Sequence, residues 1–421
     1  MPPRGYVGQP GSNHLGFLRF FGISAGAGEL RCLAKSLHSP MKDQIIKKFA
    51  EVYGSPPTVV TRAPGRLEFI GNHTDYNGGT VLGVAIDRGV WVAVRATDKP
   101  QLQFFSDLAP NIVSVSPRAP GRLSSDESWA NYPLGVWVSM ASFRLQQPGG
   151  LDFLAMADLP PGAGLSSSAA IELSSALAFL GLTGQTVLRE ELVLLGKHAE
   201  NNFVGVPCGI LDQGVSGFGK KGHLVFIDCI GPRFETIPLD SGAHFWVFNT
   251  HSKHALIDSL YATRHRECME AAQALGLKLL METDSAKLEV NRAKLPEVLY
   301  RRAKHIVDEI ARVAAVKQML VAGDLKAVGR TLNSSHASSK TFFENSTPEL
   351  DFLAETLATT PKVYGARLTG GGFGGAVMAL TDAEFSETDA KAVGAAYQKK
   401  FNQSLQILHC QTGEGAETLP I

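Results

Sequence analysis

The residues best suited to chemistry fall in three clusters. Residues 160–170 read P-P-G-A-G-L-S-S-S-A-A, and an uninterrupted apolar pattern with helical spacing follows from residue 171. Small residues let a backbone approach a ligand closely. A glycine-rich turn that opens a helix also offers unpaired N–H groups and the positive end of a dipole to an anion, for which phosphate is the natural guest. The same residues describe a tight turn with a serine cap. The second cluster, A-P-G-R-L-E-F-I-G-N-H-T-D-Y-N at residues 63–77, places polar groups at the end of an apolar strand. Asn72, His73 and Asp75 suit hydroxyls, and Arg66 is a fixed cation suited to phosphate or to developing charge. Read as a loop, its Asn and Asp only shape turns. The third cluster pairs Glu200, near the end of a helical pattern, with Asp212 in C-G-I-L-D-Q at residues 208–213. Separated carboxylates can divide labour, one holding a metal and one moving a proton, although two acidic residues around a loop are commonplace.

Near the C-terminus, R-L-T-G-G-G-F-G-G at residues 367–375 contains a literal G-x-G-x-x-G. A dinucleotide site needs that pattern early in a βαβ unit, opening a helix. Residues 376–380 read instead as a second strand, so a glycine hairpin is expected and a dehydrogenase is rejected. No G-x-x-x-x-G-K-[ST] occurs either.

The elements that must position these groups alternate. Strands are expected at residues 58–60, 67–70, 89–94, 102–105, 112–115, 224–229, 245–248, 366–369 and 376–380. Helices are expected at 41–53, 129–143, 171–180, 190–203, 255–275, 298–322 and 348–357. The mix gives an α+β class with two intimately packed halves divided near residues 229–237. The domains are then 41–235 and 236–421, with 1–40 an unassigned extension of scattered Gly, Pro and Arg. Met41, opening an amphipathic helix, is a candidate translation start.

The composition is ordinary: 421 residues, 44% hydrophobic, 19% charged, with 40 basic and 40 acidic side chains. Neutral net charge gives no support for nucleic-acid or membrane partners, and no window holds the run of apolar residues that a membrane span needs. Five cysteines without C-x-x-C spacing argue against a zinc site or a disulfide framework and favour a reducing, cytoplasmic setting. A monomer is expected.

Taken together and in this order, A-P-G-R…G-N-H-T-D-Y, P-P-G-A-G-L-S-S-S-A and L-T-G-G-G-F-G-G resemble the three motifs of the GHMP small-molecule kinases, and within them the galactokinase family. Supporting segments lie at residues 128–136, 200–213, 261–268, 334–339 and 346–351, and the resemblance covers roughly residues 49–413. It implies a two-domain GHMP kinase fold with a ferredoxin-like C-terminal domain, and transfer of the γ-phosphoryl of ATP to the anomeric hydroxyl of galactose. By that resemblance Gly162, Ala163, Gly164, Leu165, Ser166, Ser167 and Ser168 wrap the ATP phosphates. Ser168, or its neighbour Ser167, and Glu200 hold Mg²⁺, and Asp212 is the catalytic base beside Arg66. Asn72, His73, Thr74, Asp75, Gly209 and Tyr261, with Asp212, line the sugar. The late glycine loop supports the active-site loops. The chain departs from the family where Glu68 replaces an Asn and Asn72 replaces a Glu. That exchange keeps another hexose, such as N-acetylgalactosamine or galacturonate, as an alternative substrate. A non-catalytic sugar and ATP sensor is a further alternative, against which the intact Ser166–Ser168 turn, Arg66, Glu200 and Asp212 all speak.

Overall fold

A computed structural model describes residues 40–421 apart from 161–163, 207 and 254–256. Residues 39–421 form one compact unit. Helix α1 (Pro40–Tyr53) buries Ile45 and Phe49 against the first sheet, as its amphipathic pattern predicts. The chain continues through β1 (Val59–Ile70), β2 (Thr80–Ala96), β3 (Leu102–Ser106), β4 (Val113–Val115), α2 (Asn131–Ser139), β5 (Leu151–Ala157) and α3 (Ser167–Thr183). It then forms α4 (Arg189–His198), α5 (Leu211–Phe218), β6 (His223–Asp228) and β7 (Arg233–Pro238).

β1 and β2 are far longer than the short segments expected from the sequence. Pro64 and Gly65 look like a break, but a register shift between Pro64 and Arg66 absorbs them, which is where a strand tolerates a proline. β1 is buried on both faces, against α3 and α5 on one side, so its side chains do not alternate cleanly between polar and apolar. From β1 the sheet runs β2–β5–β3–β4, while β6 pairs with the start of β2 and carries β7.

The second part comprises β8 (His244–Lys253), α6 (Ile257–Ala274), α7 (Ser285–Val290), α8 (Glu297–Val321), α9 (Leu325–Ser338), α10 (Pro348–Ala358), β9 (Val363–Thr369), β10 (Gly374–Thr381), α11 (Glu387–Phe401) and β11 (Gln406–Cys410). Its antiparallel sheet has the order β11–β8–β10–β9, the fourth, first, third and second strands of this part, which is the ferredoxin-like order. A final strand, β12 (Glu417–Leu419), returns to pair with β1 in the first sheet. The expected division at residues 235/236 falls inside β7, which stays hydrogen-bonded to β6. The halves share one apolar core, with Phe69 of β1 meeting Phe245 of β8 edge to face at 6.1 Å between ring centres. Among the described residues no helix is long and apolar enough to cross a membrane.

Candidate active site

The bulge at Pro64 aims Arg66 out of the sheet toward the N-terminus of α3. The Arg66 N–H donates to the Leu165 carbonyl at 3.0 Å, which ties the strand to the glycine-serine turn. Its guanidinium, almost fully buried, donates from Nη1 to the Gly164 carbonyl at 2.7 Å and from Nε to Asp212 Oδ1 at 2.8 Å. Nη2 lies 2.7 Å from the same oxygen. The other Asp212 oxygen accepts from Ser166 Oγ at 2.5 Å. Ser166 takes a left-handed backbone (φ 54°), unusual for a residue with a side chain, and this conformation turns its hydroxyl back toward α5. The structure therefore brings Arg66, the turn and Asp212 together. Gly162 and Ala163 lie outside the described residues. Ser167 and Ser168 open α3, whose first-turn N–H groups face away from the helix body.

One helical turn further on, two buried carboxyls, Glu172 of α3 and Glu200, meet Gln213 of α5. Ser168 donates to Glu200, and Gln213 Nε2 bridges Glu200 Oε2 at 2.6 Å and Glu172 Oε2 at 3.0 Å. Burial raises the Glu200 carboxyl above its ordinary range, and the Asp212 charge adds to the rise. Burial does the same more strongly to Glu172, with Glu200 adding to it. Glu200 sits in a π-helical turn (Ala199–Val204) that prolongs α4 and carries the carboxyl toward Ser168. Hard oxygen donors with surplus negative charge fit a small divalent cation that also takes phosphate oxygens.

The cavity in front of these groups has a volume of about 740 Å³. Arg66, Ser166–Ser168, Gly370 and Gly371 line it, together with Leu108, Pro110, Trp129, Tyr132 and Met156, whose apolar surface suits a planar base. Trp129 and Tyr132 belong to a segment singled out in the sequence. Leu108 and Pro110 carry no recognisable signal, because only the β3–β4 hairpin brings them to the cavity.

The expected sugar residues divide into two groups. Asp75, Gly209 and Tyr261 are each only partly buried. Asp75 Oδ1 accepts from the Tyr76 N–H at 2.9 Å, while a β-carbon at Gly209 would lie 1.4 Å from Asp75 Oδ2, so a side chain there would have to displace Asp75. Burial raises the Asp75 carboxyl to about 6. The Tyr261 ring packs on His73, with centres 4.8 Å apart, and against Gly371.

Asn72, His73 and Thr74 instead engage protein partners. Thr74 Oγ1 lies 2.8 Å from the carbonyls of both Gly71 and Thr80. His73 Nε2 donates to the Gly371 carbonyl at 3.0 Å, so Nδ1 accepts from the Tyr76 hydroxyl at 2.9 Å. Burial lowers its pKa to about 3, which keeps the ring neutral. Asn72, 1% exposed, donates from Nδ2 to Glu68 Oε1 at 3.0 Å and to the Gly370 carbonyl at 2.8 Å, and its oxygen accepts from Asn345 at 2.7 Å. Glu309 of α8 holds the backbone of this loop, accepting from the N–H groups of Gly71 at 3.1 Å and Asn72 at 3.3 Å.

The late glycines form the hairpin loop between β9 and β10, as expected, with Gly370 and Gly372 in left-handed conformations. A side chain at Gly372 would strike the Asn345 carbonyl. Arg367, Asn345, Glu172 and Gln213 support the site without having been picked out from the sequence, because each is buried and reaches it only through tertiary packing.

Residues 47–96 match the galactokinase galactose-binding signature, 131–220 the GHMP kinase N-terminal domain and 313–403 the GHMP kinase C-terminal domain. The chain is 38% identical to a galactokinase of Roseiflexus sp. (strain RS-1) over 381 residues, covering 88% of this chain and 96% of that protein. It is 36% identical to a galactokinase of Enterococcus faecalis over 386 residues, covering 90% of this chain and 100% of the relative. The structure of Lactococcus lactis galactokinase complexed with galactose superposes with a TM-score of 0.86 at 33% identity, over 90% of this chain and 100% of that one. A mevalonate kinase structure, at 17% identity and a TM-score of 0.59, shares the fold alone. With two relatives matched over nearly their whole length and all three domain signatures in order, the chain belongs to the galactokinase family of GHMP kinases.

Proposed function

We propose that the protein transfers the γ-phosphoryl group of ATP to the anomeric hydroxyl of α-D-galactose, giving galactose 1-phosphate and ADP. The observation that carries this reading is the Arg66–Asp212–Ser166 cluster, which joins a proton acceptor, a fixed cation and the phosphate turn beside a cavity large enough for a nucleotide. Phosphoryl transfer depends on positioning and on charge stabilisation more than on covalent chemistry by the protein. The base of ATP lies against Trp129 and Tyr132, and its phosphates reach the first-turn N–H groups of α3. Asp75, Tyr261 and the open backbone at Gly209 hold the sugar so that its O1 faces Asp212.

Asp212 accepts the O1 proton as the oxygen attacks the γ-phosphorus and the bond to the ADP oxygen breaks. Arg66 holds the Asp212 carboxylate in place and offsets charge on the reacting oxygens. Ser168 and Glu200 are the residues that would hold Mg²⁺, which neutralises phosphate charge when bound. The sugar end is built from the β1 loop together with the β9–β10 hairpin, so it draws on both an N-terminal domain that runs to the end of β7 and a C-terminal domain that begins with β8. The free thiols of Cys208, Cys229, Cys268 and Cys410 accord with a cytoplasmic setting.

A coupled ADP-release assay across galactose, glucose, N-acetylgalactosamine and galacturonate tests the proposal. Turnover highest on galactose is expected. Bound ATP with no ADP release on any aldohexose would overturn it and leave the sensor reading.

A further inference from the structure

Behind the sugar end lies an ion pair that the reaction does not use directly. Glu68 is 5% exposed and Arg367 fully buried, and both terminal nitrogens of the guanidinium lie 3.1 Å from Glu68 Oε1. Arg367 also donates to the Phe69 carbonyl at 3.2 Å, so it locks β9 to β1. The oxygen that receives Arg367 also receives Asn72 Nδ2. From Asn72 the bonds run on to the Gly370 carbonyl and to Asn345, whose Nδ2 donates to the Gly371 carbonyl at 3.1 Å. That same carbonyl accepts from His73. The two positions at which the chain departs from its family motif are thus bonded to each other, and together they hold the glycine turn that lines the cavity.

Resting on the galactokinase reading above, we infer that Glu68 and Asn72 are a coupled pair of positioning residues that sets the Gly370–Gly371 turn and hence the fit of the sugar. Each position constrains the other. The buried Arg367 guanidinium requires a carboxylate beside it, since a buried charge left without its partner is strongly destabilising. A second carboxylate at position 72 would face Glu68 at hydrogen-bond distance, and it would turn an acceptor toward the Gly370 carbonyl, which now receives a donor. Asn72 touches the sugar site only through that turn, because its amide is already engaged on three sides. Carboxylate and amide can therefore change places between the two positions, but neither can be duplicated.

The test is a cycle of near-isosteric variants, Asn72→Asp, Glu68→Gln and the double variant, compared with the parent protein by thermal unfolding and by steady-state kinetics on galactose. Each single variant is expected to lower the melting temperature and to raise the galactose KM at least tenfold, with the ATP KM within about twofold of the parent. The double variant, which restores one carboxylate and one amide to the hydrogen-bonded pair in front of Arg367, is expected to recover at least fivefold of the lost galactose KM and part of the lost melting temperature. Coupling on that scale is ordinary for buried neighbours in contact. Strictly additive effects, or an Asn72→Asp variant that binds galactose more tightly, would overturn the inference. The unfolding cycle reports coupling even if no sugar is turned over, so failure of the pair and failure of the kinase reading are distinguishable. Should a single variant not fold, recovery of folded protein in the double variant supports the coupling, and its absence overturns it.

Discussion

Replacing Asp75 with Asn should make the protein more stable and a poorer galactose binder at the same time. The Asp75 carboxyl is lifted by burial from its ordinary 3.8 to about 6. At about 1.36 kcal/mol for each pH unit, keeping it ionised in the folded protein costs roughly 3 kcal/mol relative to the unfolded chain, an upper bound because the residue retains some exposure. The sign follows from the direction of the change. With the folded value above the unfolded one, the cost is complete above about pH 6 and vanishes below pH 3.8. Asn has the same shape and can accept the Tyr76 N–H as Asp75 does, yet carries no charge to desolvate. The variant should therefore melt higher than the parent at pH 8, and the gap should narrow by pH 5. Galactose should suffer, because a hydrogen bond to a charged group contributes about 1.5–3 kcal/mol against roughly 1 for a neutral pair, or about tenfold in affinity. In the parent protein the galactose KM should rise as pH falls through 6, and in the variant that rise should be absent. Thermal unfolding at the two pH values, with KM for galactose and ATP measured in parallel, decides the matter. A variant that melts lower than the parent, or a gap that does not change with pH, would refute the desolvation argument.

Three other outcomes are expected. Asp212→Asn should keep galactose and ATP binding, measured by calorimetry, while turnover falls about 10²- to 10⁴-fold, the usual contribution of a general base. Unchanged turnover would make Asp212 structural. Ser168→Ala and Glu200→Gln should raise the Mg²⁺ concentration needed for half-maximal rate, since each weakens an oxygen donor to a hard cation, and an unchanged titration would remove them as ligands. Gly209→Ala would drive a methyl group into the Asp75 carboxylate, so galactose KM should rise at least tenfold with little change for ATP. An unaltered galactose KM would show that Asp75 can move aside freely.

Much of the catalytic end was legible in the sequence because its parts are local. The serine turn and the start of α3 occupy adjacent residues, and Asp212 sits in the first turn of its own helix. The β9–β10 hairpin was legible for the same reason, as glycines flanked by two apolar runs. The sugar end was harder to read. Asn72, His73 and Thr74 have the chemistry of hydroxyl ligands, and nothing in their spacing says that the polar atoms of each are engaged by protein. The distant partners of Asn72 and His73, namely Gly370, Asn345 and Gly371, lie more than 270 residues away. The full length of β1 was hidden for a different reason. Its proline and glycine read as a turn, and only pairing with β2 converts them into a bulge that points Arg66 at the site.

The return of β12 to the first sheet has a consequence for how the protein is made. β1, which bears Arg66, has Val60, Thr61 and Arg62 paired with Leu419, Thr418 and Glu417. The Arg62 side chain also donates to the carbonyls of Glu414 at 3.3 Å and Asp87 at 3.1 Å. During synthesis the N-terminal sheet therefore waits, with the outer edge of β1 open, until residues 417–419 have left the ribosome. Contacts of such long sequence separation form slowly because the loop they close must first be ordered. Pairing along the outer edge of the strand that carries Arg66 thus cannot precede synthesis of β12, so a chain cut short before residue 417 leaves that edge of β1 without its partner. A purification tag fused directly after Ile421 would sit two residues from the closing strand, and a tag placed there burdens folding rather than chemistry.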